Sequence, residues 1–487
     1  MSFQNSYSDL NATLSALLDD WSQPGLAVGI VDKDQTTMEC AGVLRVGDDQ
    51  QRVDPFTFFA SASVSKTFAA ASIGILVHRG LVALDDPVCK HLSYFKLSDD
   101  TASREATIRD LLSNRLGLQS SEGRHRRCAT SRKDLILRMG QQTFRHSLRE
   151  GFGYCSDGFT CIGAIVEAVT GLPWETFAGE EIWRPLGMTR TNANLEKTKR
   201  DKNAASPHLV VDQDPIPINW AYEEAATPAG GVNSCVHDLL IWAQAMIDRG
   251  TFQGHELFSH QLADEIFSPQ TPEVGPFCDD EFACILGRGE KGISNPSYGL
   301  GWYLHEYKGT KIAYHTGSID GFRSFIGIQI DTGFAVVVLA NADNAFLPRA
   351  LFQHLLDKKM GIESAVQFAD FHAYQKRVAV TPILLPDPSC DGRSPRYRSA
   401  PKTLCGKYRE GTGFGESEIF IDDGRLILKA GATSFDLRER PDGSFAAYRQ
   451  FPYAPIRQFI GRWEYTADGH PMCFITDEAA RFEKCPE

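Results

Sequence analysis

No apolar run in this chain approaches the roughly 20 residues needed to cross a bilayer, so no membrane-embedded segment is expected. Cationic surface is equally scarce. Lys and Arg number 50 against 62 Asp and Glu, a formal charge of −12. The short basic clusters at 124–127 and 197–202 read as solvated loops, so nucleic acid is not an expected partner. The twelve cysteines are scattered without a C-x-x-C pair, and no H-E-x-x-H occurs, which argues against a metal site. No cofactor is expected. The opening MSFQNSYSDLNATL lacks the basic start and apolar stretch of a secretion signal, so the expected setting is the cytoplasm with reduced thiols.

What is present is an ordinary globular composition, 42% apolar and 23% charged over 487 residues, enough for a large domain and a smaller one. Within it, Ser63-Val64-Ser65-Lys66 opens a segment, SKTFAAASIGILVHRG, with apolar residues at helical spacing and a glycine stop at Gly80. Ser63 is expected in the first turn, with Lys66 projecting from the same side. The unpaired N–H groups at a helix start favour an oxyanion, and a lysine held there out of water can serve as a neutral base for the serine proton. Further on, Tyr154-Cys155-Ser156 lies in a loop before a second apolar-striped segment. Later still, His315-Thr316-Gly317-Ser318 ends a short apolar run, Lys311 to Tyr314, before a strand-like FIGIQI. A turn at Asp331-Thr332-Gly333 and the return FAVVVLANA complete a hairpin pattern.

An S-x-x-K helix, a Y-x-[NS] loop and a [KH]-T-G strand in this order resemble the serine β-lactamase and penicillin-binding protein superfamily. The likeness is to class C β-lactamases and the peptidase S12 group of D-aminopeptidases and esterases. It runs over roughly 10–360 and includes GLVALDDPV, IRDLLSNRLGL, IVEAVTGLPWETF, IWRPLGM, ATPAGGVNSCVHDLLIWAQAM and YGLGWY. The resemblance implies an α+β fold, an antiparallel sheet flanked by helices plus an all-helical region. It also implies a set of roles. Ser63 is the expected nucleophile and Lys66 its base; Tyr154 moves the proton to the leaving group and activates the acceptor. The N–H groups of Ser63 and Ser318 form the oxyanion hole. His315 borders the pocket, hydrogen-bonding the tyrosine or the substrate, and Ser156, Thr316 and Gly317 contact substrate. Cys155 reads as core packing, Asp157 as a helix N-cap, and Asn341 and Asp343 as turn residues.

Two departures narrow the expectation. Histidine replaces the usual lysine at the head of the third motif, exchanging a permanent cation for a largely neutral group and disfavouring a β-lactam substrate. Serine replaces asparagine at 156 and offers fewer hydrogen bonds to Lys66. The leading reading is a serine hydrolase acting on an amide or ester, on a small-molecule or peptidyl substrate. The alternatives are a thioesterase or peptide cyclase that takes an acyl or peptidyl chain from a carrier protein, and a silent scaffold. A cytoplasmic setting argues against cell-wall synthesis. Along the chain we expect a catalytic domain at 1–380, a Pro- and Ser-rich linker at 381–402, and at 403–487 a small antiparallel barrel of eight short alternating strands, similar to the lipocalin-like barrels of peptidase relatives. Connections at 119–130, 207–228 and 270–296 are the expected seat of specificity.

Overall fold

The computed structural model describes residues 7–118, 129–272, 292–378 and 404–485, apart from residues 34, 212, 222–223, 365, 411–414, 423–424, 431–432, 440–444, 450–455, 466–470 and 477–480. The expected linker and most of two of the three connections, 119–128 and 273–291, lie outside the described residues.

The chain resolves into two compact units, Met1–Ser120 with Phe144–Val378, and Ser121–Thr143 with Ala379–Glu487. The first unit is organised by an eight-stranded antiparallel sheet. Its strands are β1 (Gly25–Asp32), β2 (Gln35–Gly42), β3 (Thr271–Pro272), β4 (Ile293–Tyr298), β5 (Tyr303–Tyr307), β6 (Thr310–Ile319), β7 (Phe322–Gln329) and β8 (Phe334–Ala340). In space they run β2-β1-β8-β7-β6-β5-β4-β3, so the first strand closes onto the last across the whole domain. Every residue of β8, FAVVVLA, is buried, as a strand covered on both faces requires.

Register shows what covers each face. Gly29 of β1 pairs with Val337, whereas Gly327 of β7 pairs with Val336, so the two glycines point to opposite faces. A Cβ on Gly29 would come within 2.5 Å of Leu240 in helix Val236–Ile247, and one on Gly327 within 2.4 Å of the Phe352 ring in helix Leu347–Met360. Each helix therefore reaches the sheet backbone through a missing side chain. On the Gly29 face lies the helical region that carries α1 (Ser65–His78) and α2 (Ser156–Thr170). All residues of α1 from Ser65 to Leu76 are buried, and its polar positions are used. Trp242 Nε1 donates to Thr67 Oγ1 (2.9 Å), and Trp174 Nε1 donates to Ser72 Oγ (3.0 Å). The helix stops where the sequence placed its end, with Gly80 at φ 68° two residues beyond.

In the second unit, eight strands from Gly406–Glu410 to Arg481–Lys484 pair antiparallel in chain order, and Tyr408 of the first pairs with Lys484 of the last. Leu426 and Leu428, then Phe435 and Leu437, occupy alternate positions and are buried with Tyr408 and Phe445, the period-2 pattern of strands covering a core. No helix among the described residues is long and apolar enough to cross a membrane.

Candidate active site

Ser63 lies in a 3-10 turn, Ala62–Val64, which runs directly into α1. The serine thus precedes the α-helix rather than occupying its first turn. Ala62 has φ 46°, a left-handed backbone that costs an L-residue about 1–2 kcal/mol. That reversal turns Ser63 outward. Between residues 57 and 76, Ser63 is the single position that is not buried. The backbone around it is held tightly. Ser61 N and Oγ both donate to Val232 O (2.9 and 2.7 Å). Ser65 Oγ donates to Ala62 O (2.6 Å) and accepts from Val232 N (3.0 Å). Ser65, the other serine of the motif, has its hydroxyl buried and committed to the turn.

Lys66 is 0% exposed, and its Nζ lies 3.0 Å from Ser63 Oγ and 2.7 Å from Ala229 O, to which it donates. The carbonyl fixes the amine in place while leaving it within proton-transfer reach of the hydroxyl. Two rings flank it: Nζ is 4.8 Å from the centroid of Tyr154 and 5.5 Å from that of Phe159. All three nucleophile, base and tyrosine candidates therefore meet.

Tyr154, half-buried, is positioned by a residue that sequence reasoning passed over. Asn114, at φ 54°, accepts from Gly153 N through its backbone carbonyl (2.9 Å) and from Cys155 N through Oδ1 (2.9 Å). One buried asparagine thus holds the amides on both sides of the tyrosine. Asparagine is among the few side chains that tolerate this backbone region. Gly153 permits the approach, since a Cβ there would meet Leu118 O at 2.1 Å. Beneath, Asp110 caps its own helix in a capping box with Thr107 and takes ion pairs from Arg115 and Arg149. Burial would raise its pKa, but the bonds from Arg149, Thr107 and Arg115 outweigh this and hold the carboxyl below the usual range. Arg149 also ties back to Arg115 O through its own N–H (2.8 Å), so the 144–155 segment is laced to 105–118.

Ser156 opens α2 and is 2% exposed. Cys155, not Asp157, occupies the N-cap position, and its side chain makes no cap hydrogen bond; Asp157 is buried within the first turn. Burial pushes the Cys155 thiol up to about 12, and the nearby Asp157 carboxylate adds to the rise, which agrees with a packing role.

The whole third motif sits in β6. A Cβ on Gly317 would lie 2.3 Å from Ser61 O and 2.1 Å from Ser324 Oγ, and that hydroxyl donates to Ser61 O (2.7 Å). The absent side chain is what lets β6 lie against the serine turn, bringing Thr316, Gly317 and Ser318 alongside Ser63. Strand β5 pairs with β6 only as far as Tyr303↔Tyr314, so among the described residues 315–319 has a ladder partner on one side only, β7. A strand edge is thereby open beside the nucleophile, a template for an extended substrate backbone.

His315 differs from its expected surroundings. It is 0% exposed; Nδ1–H donates to Thr316 O (2.7 Å), which leaves Nε2 to accept from Tyr298 Oη (3.1 Å). The tyrosine it bonds is Tyr298, and the Tyr154 ring stands 6.4 Å away in a tilted arrangement. Burial, reinforced by Lys66, pushes the imidazole down to about 3. It is a neutral residue with both nitrogens engaged, which shapes the wall rather than presenting a free donor. Asn341 and Asp343 also do more than turn the chain. Asn341 is fully buried, and its Nδ2 donates to Val43 O and Leu44 O, while Asp343 pairs with Arg323.

Comparison with known proteins agrees with this geometry. The sequence model of the Beta-lactamase family matches residues 10–357. An unguisins hydrolase of Aspergillus campestris is 28% identical over 74% of the chain, and the alignment spans 66% of that relative's length. Penicillin-binding protein 4 of Amycolatopsis lactamdurans is 26% identical over 73% of the chain and 90% of its own length. In fold, the octameric penicillin-binding protein homologue from Pyrococcus abyssi superposes with a TM-score of 0.65, covering 98% of this chain and 99% of that one at 19% identity. With the family model spanning most of the chain and the serine, lysine and tyrosine of its motifs assembled in one place, the protein belongs to the Beta-lactamase family, within the serine β-lactamase and penicillin-binding protein superfamily.

Proposed function

We propose that the chain is a serine hydrolase that opens an amide or ester through an acyl-enzyme on Ser63. The observation that carries the reading is the 3.0 Å approach of a fully buried lysine amine to the one accessible hydroxyl of a buried turn. Lys66 takes the proton as Ser63 Oγ attacks the carbonyl. The negative charge then develops toward the N–H groups of Ser63 and Ser318, at the head of α1 and on β6. Tyr154, beside Lys66, passes the proton to the leaving group and afterwards draws one from the water that releases the acyl chain. Half-buried Thr316, with buried Gly317 and Ser156 behind it, is the wall we assign to substrate.

A neutral, internally bonded His315 supports a substrate without a carboxylate at that wall, and so an amidase- or esterase-type reaction, with D-residues as one class to test, over a β-lactamase one. A relative named as a hydrolase of unguisins supports a hydrolytic outcome. The test is intact-protein mass spectrometry after incubation with p-nitrophenyl esters, D- and L-amino-acid amides, a penicillin and a peptidyl thioester. A mass increase equal to the acyl group is expected with esters and amides, and none in Ser63→Ala. Equal labelling of that variant would overturn the assignment.

A further inference from the structure

Lys66 is only as well placed as the carbonyl that holds it. Ala229 O, which accepts from its amine, belongs to a four-residue helix, Thr227–Gly230. Helices shorter than about 12–15 residues do not hold themselves in water, so the position of this one is set by what its flanks are tied to. On its C-terminal side the tie is Val232, whose N–H and carbonyl bond Ser65 and Ser61 of the serine turn. On its N-terminal side the tie is Thr227, a buried residue whose Oγ1 donates to Glu175 Oε1.

Glu175 stands in a second short helix, Trp174–Ala178, and the residue before it fixes that helix. Trp174 is fully buried. Its Nε1 donates to Ser72 Oγ on α1, and its backbone N–H donates to Glu167 Oε1 on α2 (3.4 Å). Its ring meets Trp183 edge-on at 6.1 Å between centroids, and Trp183 meets Phe68 of α1 in the same way at 6.0 Å. Two adjacent side chains thus reach three elements. Trp174 grips α1, which carries Lys66, and α2, which follows Tyr154; Glu175 grips the helix whose carbonyl holds the lysine amine. The path from Glu175 to the reacting hydroxyl runs through Thr227, Ala229 O, Lys66 Nζ and Ser63 Oγ.

Resting on the acyl-enzyme reading, we propose that Glu175 is a positioning residue for the general base. Through Thr227 it sets where the Ala229 carbonyl stands over α1, and with it the reach of Lys66 Nζ to Ser63 Oγ. The tie through Val232 cannot be cut without disturbing the serine turn, whereas the tie through Glu175 can. With that bond lost, Lys66 keeps its burial but its acceptor is free to drift. Proton transfer then suffers, and substrate binding does not.

The test reads the burst of p-nitrophenolate from p-nitrophenyl acetate, resolved into a maximal acylation rate and a half-saturating concentration, with thermal melts as the folding control. Glu175→Leu and Thr227→Val each remove the bond; Glu175→Gln and Thr227→Ser each keep an oxygen able to make it. The maximal rate is expected to fall at least tenfold in Glu175→Leu and Thr227→Val, with half-saturation moving less than twofold. Glu175→Gln and Thr227→Ser should stay within threefold of wild type. The double variant Glu175→Leu/Thr227→Val should lie within threefold of the worse single one, because both cut the same bond. Thr227→Val matches threonine in size, so it decides the matter should Glu175→Leu fail to fold. Unchanged rates in the folded bond-removing variants, equal losses in the bond-keeping ones, losses that multiply in the double variant, or a change confined to half-saturation would each overturn the positioning role. A wild-type protein with no burst and no Ser63 adduct would instead overturn the acyl-enzyme reading beneath it.

Discussion

A single carboxamide and a single carbonyl, both of Asn114, set the position of Tyr154 by holding the amides of Gly153 and Cys155. Removing the side chain frees one of these anchors without touching Ser63 or Lys66. Misplacement of a proton-transfer group by about 1 Å costs on the order of 10²-fold in rate. Asn114→Ala is therefore expected to lower kcat by roughly one to two orders of magnitude, with KM nearly constant. Asn114→Asp keeps an accepting oxygen in exchange for the unpartnered Nδ2 but adds an ionisable carboxyl to a buried position, so steady-state kinetics at low pH, where that carboxyl is protonated, should show it closer to wild type than Asn114→Ala. Equal losses in both variants at that pH would remove the positioning role. That Ser63, Lys66 and Tyr154 would meet was legible in the sequence because their motifs are short spacings, three residues apart or within a tripeptide. Asn114 was not, since the amides it serves are about 40 residues away and nothing in LLSNRLGL marks an asparagine with left-handed backbone as an anchor. His315 was legible as a motif residue but not as a partner of Tyr298, which depends on how β4 and β6 come together.

At the level of elements, the site is a contact between one turn and one strand, and Gly317 is the point of contact. Gly317→Ala would drive a methyl into Ser61 O and Ser324 Oγ, so β6 must shift from the serine turn. Overpacking of this kind costs about 1–3 kcal/mol. Thermal denaturation should register that loss, and acylation of Ser63 should slow by more than the stability change explains, because the Ser318 N–H moves with the strand. A variant with wild-type melting and wild-type acylation would show that the contact is loose. The hydrophobic spacing of α1, the Lys311–Tyr314 run and FAVVVLA revealed the individual elements. That HTG lies on a strand was legible from the order of the three motifs; that its pairing there, among the described residues, comes from β7 alone, with β5 stopping at Tyr314, was not.

For the molecule as a whole, buried imidazoles make folding sensitive to acid. Burial pushes His315 and His305 down to about 3 and His208 to about 4, against an ordinary value of 6.5. The folded state binds fewer protons than the unfolded chain between those values, so stability is fully present above pH 6.5 and declines as pH falls toward 4 and 3. Melting temperature measured from pH 8 to 4.5 should be level at first and then drop below pH 6.5; a flat profile to pH 4.5 would show that these histidines already carry protons in the fold. The mixed α/β architecture with its large antiparallel sheet was legible from the order of motifs and helices. The grouping of Ser121–Thr143 with the C-terminal unit was not, since membership of a compact unit is decided by contacts far apart in the chain.

The isolation of Ser63 in an otherwise buried stretch has a kinetic consequence. Amide hydrogens of 69–76, buried and bonded within α1, should exchange with deuterium only through global opening, while the Ser63 hydroxyl at the head of that helix reacts with an acylating reagent in the closed protein. Exchange mass spectrometry on peptides spanning this stretch would then report the slowest protons of the molecule beside its fastest oxygen.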